Sequence, residues 1–308
     1  PLGVMGPKQG AATVQKVAAA AVMAGCLPDY FPVVIASIRA VCRDEFDLTE
    51  VVQTTHSLAP VLIVNGPARN ECGPINSGAG IFGPGNRAAM SIGRALSLSL
   101  INIAGANPGT TDMACFSSPS KISGCIAEAE EASPYPPLHV SRGFESEDSV
   151  VTVIAVESQR SFIAEPSGTP SRDATFILNN IAAILAGPGN LSVYVGGKGT
   201  TLVVLNPDHA RTLSRAGYDR DSIRQYLLEN SQMSRDVVDR IHINQMYMDP
   251  ENRGPVPAIR DVSQIEIVVS GGPGAYSSVL TPCGFAPHNN PAVSEMIEVF
   301  PSCMTSIA

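Results

Sequence analysis

The sequence lacks any long apolar run. Its two richest stretches, Val17–Gly25 and Ala95–Ala106, are short and built from small residues, well under the roughly 18 residues a bilayer crossing requires. No membrane association is expected. Charge is also sparse. Asp, Glu, Lys and Arg make up 16% of 308 residues, and the balance is acidic at −8. Clustered Lys and Arg, the footprint of phosphate-backbone recognition, are missing, which speaks against a nucleic-acid partner. An apolar content of 44% excludes wholesale disorder and supports a large core, in one big domain or two lobes. No basic segment leads into an apolar one as in a secretion signal. The seven cysteines form no CxxC pair and are odd in number, so they do not read as a disulfide framework. The expectation is a cytoplasmic protein.

What the chain has in quantity is Gly (27) and Pro (25), gathered in short clusters. Between these clusters the patterning is regular. Helices are expected over Gln9–Gly25, Asp29–Val41, Asn86–Ile103, Asp173–Leu185 and Ser234–Met246, with further helices started by Asn206-Pro207 and by Asp219. Strands are expected over Pro60–Asn65, Ile122–Ala127, Val150–Glu157, Leu191–Val195, Thr201–Leu205 and Ile265–Val269. A short helical turn is expected after Ser270–Gly274. This alternation predicts an α/β protein, with mixed or mainly parallel sheets and flanking helices. The Pro- and Gly-containing segment Glu165–Arg172 suggests two lobes, 1–165 and 166–308, with the site at their seam.

Three segments are candidate anion cradles: Asn76–Arg87, Gly196–Thr200 and Ser270–Gly274. Small residues at a strand end or before a helix let successive N–H groups point into one concavity. Asn76, Ser77, Gly78, Gly271 and Gly272 are therefore expected to contact substrate, with Arg87 and Arg94 adding bidentate contacts. None of the three is a Walker or dinucleotide fingerprint, so no nucleotide is implied. The plain alternative for each is tight-turn chemistry.

Cys26 lies at a helix end just before Pro28, a position where a thiol can act as nucleophile. The alternative is a small buried hydrophobe. Cys125 precedes Glu128, Glu130 and Glu131, an outline of acid–base machinery or of a hard-metal site, or else a solvated acidic turn. His56 precedes a strand and is the best-placed of the five histidines as a general base or ligand. His139, His209, His242 and His288 are weaker candidates. No HxxxH or HxH spacing occurs. A divalent metal would have to be held by distant parts of the chain, and an iron–sulfur cluster lacks a clustered motif. There is no GxSxG elbow.

Several short runs carry a resemblance. They are Met23-Ala24-Gly25-Cys26 with Pro28-Asp29-Tyr30-Phe31-Pro32, Thr54-Thr55-His56, Val64-Asn65-Gly66-Pro67, Asn76-Ser77-Gly78, Phe82-Gly83-Pro84-Gly85, Ile92-Gly93-Arg94-Ala95-Leu96 and Cys125-Ile126-Ala127-Glu128. Together they resemble a bacterial family related to thiol and selenol proteins marked by a Sec-Gly-Ser-Cys or Cys-Gly-Ser-Cys motif. The likeness covers most of the chain and implies no particular reaction. Cys-Gly-Ser-Cys itself is missing from this sequence, so a dithiol role does not carry over, and such an activity would belong to a partner subunit. The resemblance implies that Cys26, His56, Asn76, Arg87, Arg94, Cys125 and Glu128 lie within family motifs.

These readings lead to an enzyme acting on a small anionic or polar substrate, of lyase, hydratase or hydrolase type. Cys26 or Cys125 would be nucleophile or ligand, and His56 and Glu128 would handle protons. The alternatives are a thiol-dependent oxidoreductase component and a non-catalytic subunit of a hetero-complex. A homo- or hetero-oligomer is expected, because small residues in apolar helices suit close subunit packing.

Overall fold

The structure is a computed structural model. It describes residues 1–241, 251, 253–284 and 288–298. The chain opens with an antiparallel ribbon, β1 (Gly3–Met5) and β2 (Gly10–Ala12). The first helix therefore starts later than its Ala-rich pattern suggests, as α1 (Val14–Ala24), where Thr13 Oγ1 accepts a hydrogen bond from Lys16 N. A 3₁₀ turn at Pro28–Tyr30 leads into α2 (Phe31–Val41). Then come α3 (Leu48–Gln53), β3 (Ala59–Asn65), α4 (Ala68–Glu71) and α5 (Arg87–Ser99), which runs on as a π-helical turn over Leu100–Ala104. This half ends with β4 (Cys125–Ala127), α6 (Leu138–Ser141) and β5 (Val150–Ile163).

The second half begins with α7 (Pro170–Leu185) and α8 (Leu191–Tyr194). The latter corrects the strand expected over Leu191–Val195: Asn190 Oδ1 accepts from Ser192 N and caps a helical turn, which overrides the β-type composition. Then follow β6 (Thr201–Leu205), α9 (Pro207–Arg215), α10 (Arg220–Asn230), β7 (Gln232–Met233) and α11 (Arg235–Ile241). The rest of the helix expected over Ser234–Met246 lies outside the described residues, as do His242 and Cys303. The chain continues with β8 (Val256–Pro257), β9 (Ile265–Val269), β10 (Tyr276–Pro282) and β11 (Val293–Met296). β10 replaces the helical turn expected after Ser270–Gly274. Its polar Ser277 and Ser278 are buried between β5 and β6 and read as strand only in that setting.

One curled sheet organises the fold, in the order β4-β3-β5-β10-β6-β9, with β11 also pairing β5. It is mixed, not mainly parallel. β3 and β4 run parallel, as do β6 and β9, and the remaining pairs in this sheet are antiparallel. β3 is buried along its whole length because both of its faces are covered. Leu62 and Val64 meet α1, α2 and α5 on one side. Val61 and Ile63 turn to the concave side, where they meet Ile126, Ile154, Leu202, Val204, Val268 and Leu280. The other convex portion, with Val203, Leu205, Ile265 and Ile267, packs against α7, α9 and α10. Each such Val, Leu or Ile contributes about 1.5–3 kcal/mol of burial. The curl brings the ends of the two edge strands together: Ala129 N donates to Val269 O at 2.7 Å and Ser270 Oγ to Ala127 O at 2.8 Å.

Candidate functional site

Cys26 is positioned by the end of α1. Gly25 takes φ +85°, the left-handed conformation that favours Gly. Cys26 N donates to Ala21 O and Gly25 N to Val22 O, both at 3.0 Å, the Schellman arrangement. Gly25 O is left free and accepts from Arg87 Nε and Nη2, each at 3.2 Å. Arg87, Ser91 and Arg94 lie at i, i+4 and i+7 on α5 and so share a face. With Ala24, Gly25, Met90, Ile122 and Ser123 they line an open cleft of about 350 Å³. Gly93, between them, lets α5 approach β4: a Cβ there would sit 2.5 Å from Ser123 Oγ and 2.6 Å from Gly124 N.

Cys26 packs against the core cluster that contains Cys125. Cys26 is half-buried. Burial pushes its thiol above the ordinary value, while a hydrogen bond with Ser91 and the Arg87 charge pull it back. Cys26 is thus protonated at neutral pH, with partners able to stabilise the thiolate once it forms. Cys125 is buried. Burial, and then the nearby Cys26, push its thiol far upward. It is a poor nucleophile in this setting. Arg94 is half-buried, and among the described residues its guanidinium has no hydrogen-bond or ion-pair partner. A partly desolvated cation without a counter-charge is costly unless a ligand supplies one.

Glu128 belongs to a different place. Alternation along β4 sends Cys125 and Ala127 to the convex side and Ile126 to the concave side, and Glu128, three residues after Cys125, falls with Ile126. It is fully buried. It accepts from Asn65 Nδ2, Leu138 N and Arg220 Nη2, each at 2.7 Å. Burial pushes its carboxyl up, against the pull of Arg220, Leu138 N and Asn65. Arg69 binds Glu131 through two bonds of 3.0 and 2.8 Å and lies 3.1 Å from Glu130. The expected acid–base cluster is thus a knot that joins β3, β4, α6 and α10.

The glycine-rich loops are also knitted together. Asn76 closes on its own loop, taking Gly78 N on Oδ1 and donating to Ala79 O. Ser77 O accepts from Gly271 N at 2.9 Å, and a Cβ on Gly272 would lie 2.9 Å from Ala79 Cβ. Asn76, Ser77, Gly78, Gly271 and Gly272 therefore meet one another at the strand ends and do not line the Cys26 cleft. His56 also lies outside that lining. Its N–H donates to Thr54 Oγ1, and burial lowers its pKa. His139 is buried, its Nε2 at 3.4 Å from Ser146 O. His209 uses both ring nitrogens, Nδ1 on Ser277 Oγ and Nε2 on Ala164 O. A hollow of about 400 Å³ above it also contains Arg211 and Asp208, which pair with each other.

Sequence reasoning missed Ser91 and Ser123, which share the cleft with Arg87 and Arg94. The helical spacing Arg87, Ser91, Arg94 was the available signal for Ser91. Ser123 is brought in by the Gly93 contact and has no sequence signal. Among the described residues no group of three or more His, Cys, Asp or Glu side chains is arranged to hold a metal ion, and no helix is long and apolar enough to cross a membrane. Comparisons with family models, with curated proteins and with solved structures yield no match.

Proposed function

We propose that this chain is an enzyme acting on a small anionic substrate in the α5 cleft, by lyase, hydratase or hydrolase chemistry in which Cys26 handles a proton. The observation that carries the reading is Arg94, half-buried and unpaired in the same cleft as Arg87 and Ser91, the two residues that act on the Cys26 thiol. An anionic group on Arg94 would hold substrate beside a thiol that is protonated at rest. A protonated thiol is suited to act as general acid, and Arg87 and Ser91 would stabilise the thiolate it leaves. Glu128 and His56 are given no part: Glu128 is held by Asn65, Leu138 and Arg220 on the other face of β4, and His56 neither lines the cleft nor acts on the Cys26 thiol, as Ser91 and Arg87 do. The six described cysteines are all free, which fits a reducing cytoplasm.

A second reading is supported by Cys26 packing against the same core that contains Cys125. It makes the chain a thiol-dependent oxidoreductase component in which these two sulfurs form a disulfide. Mass spectrometry after mild oxidation distinguishes the readings, since a Cys26–Cys125 disulfide belongs only to the second.

The first reading is tested by incubating the protein with a panel of small carboxylates in deuterium oxide and following them by NMR. Cys26-dependent deuterium uptake or substrate loss is expected, and Cys26→Ser should abolish it. Turnover that survives Cys26→Ser contradicts the proposal.

A further inference from the structure

Arg94 borders a second hollow. On its other side is a narrower cavity of about 210 Å³, walled by Val52, Leu58, Leu100, Ile101 and Ile122. Arg94 and Ile122 line both spaces, so Arg94 stands in the wall that the cleft and the cavity share. Lys121 also lines the narrow cavity, but Asp112 neutralises it through contacts of 2.7 and 2.8 Å. Arg94 is the charge left uncompensated there. Four other described arginines, Arg160, Arg172, Arg215 and Arg260, also have no hydrogen bond or ion pair on their guanidinium groups, but all four are exposed and can be satisfied by water.

We infer that the narrow cavity binds the hydrocarbon part of an alkyl carboxylate whose head group sits on Arg94. The inference takes the α5 cleft as the site, as proposed above, and adds a ligand class to it. The carboxylate matches the planar, bidentate donor set of a guanidinium. The hydrocarbon matches walls of Val, Leu and Ile, and burying it there removes apolar surface from water on both sides. The volume corresponds to roughly seven water-sized groups, which sets the length to a medium chain. The head group then faces the cleft that holds Ser91 and Arg87, next to Cys26.

Isothermal titration with octanoate, acetate and 1-octanol tests the inference on the full chain. Octanoate should bind at least about tenfold more tightly than acetate, which has only the head, and than octanol, which has only the tail. Arg94→Gln should weaken octanoate by about tenfold or more without lowering the melting temperature of the ligand-free protein. Octanoate that does not bind at millimolar concentration overturns the inference. So does acetate or octanol binding equally well, or Arg94→Gln leaving octanoate affinity intact. If octanoate fails while Cys26-dependent exchange of a smaller carboxylate persists, the cleft stands and the ligand class falls. If octanoate binds as expected but no carboxylate turns over, the catalytic reading falls and the binding site stands.

Discussion

The two sides of strand β4 carry the two most chemically loaded regions of the molecule, and they are satisfied in opposite ways. On the concave side, Glu128 is buried and takes donors from Asn65, Leu138 and Arg220. On the convex side, Arg94 is half-buried with no hydrogen-bond or ion-pair partner among the described residues, and it shares a cleft with Arg87 and Ser91, which act on the Cys26 thiol. Buried polar groups that find protein partners hold a fold together. Half-buried groups without them are where a ligand gains the most. The acid-rich stretch therefore belongs to the architecture, and the arginine helix is where the proposed chemistry is placed.

The contrast can be broken most forcefully at Arg220. Arg220→Met leaves Glu128 charged and buried without its ion-pair partner. It should cost about 3–5 kcal/mol of stability by urea denaturation, with Cys26 reactivity unchanged in the fraction that stays folded. A loss well under 1 kcal/mol would mean that the knot is not structural. Next in size is Gly93→Val, whose side chain would collide with Ser123 and Gly124. It should destabilise by about 1–3 kcal/mol through overpacking, and it should also change the labelling rate of Cys26 by moving α5 away from β4.

The pH profile of Cys26 sharpens the picture on the cleft side. Its folded pKa lies above the ordinary thiol value of 9.0, burial outweighing Ser91 and Arg87. Alkylation followed by peptide mass spectrometry should therefore still be rising with pH at pH 9. Ser91→Ala should move the profile further up. A plateau below pH 8 would contradict the protonated resting thiol.

The smallest effect is expected at the rim of the acid cluster. Arg69 pulls Glu131 down to about 2, yet the carboxylate is 74% exposed. Because the folded pKa is depressed, the stabilisation is present above the ordinary 4.5 and is lost as pH falls toward 2. Solvent screening limits it to less than about 1 kcal/mol. Glu131→Gln should show that small loss at pH 7 and none near pH 2 in the same denaturation series.

Much of the framework was legible in the sequence. β3 and β6 read as largely apolar runs, and β9 as one broken only by Glu266, because the curled sheet covers both of their faces. Asn206-Pro207 and Asp219 announce α9 and α10 through caps that form as expected. Leu191–Val195 and Tyr276–Pro282 misled because a five-residue segment rich in β-type residues and a Ser-rich strand carry little period, and a local cap or strand pairing decides them. In the site, the common face of Arg87 and Arg94 follows from helical spacing alone. The separation of Cys125 from Glu128 also follows, from strand parity. What no local pattern contains is the packing of α5 between α1 and β4, in which Gly93 lies against Ser123 and Gly124.

The measurement closest to the central claim is the rate at which Cys26 is alkylated by iodoacetate relative to iodoacetamide, compared between the native chain and Arg94→Gln. The two reagents deliver the same alkyl carbon and differ in charge. If the α5 cleft is an anion site beside Cys26, the native chain should favour iodoacetate well beyond the ratio seen for a free cysteine, and Arg94→Gln should return the ratio toward that value. A ratio equal to that of free cysteine, unmoved by Arg94→Gln, would contradict the account.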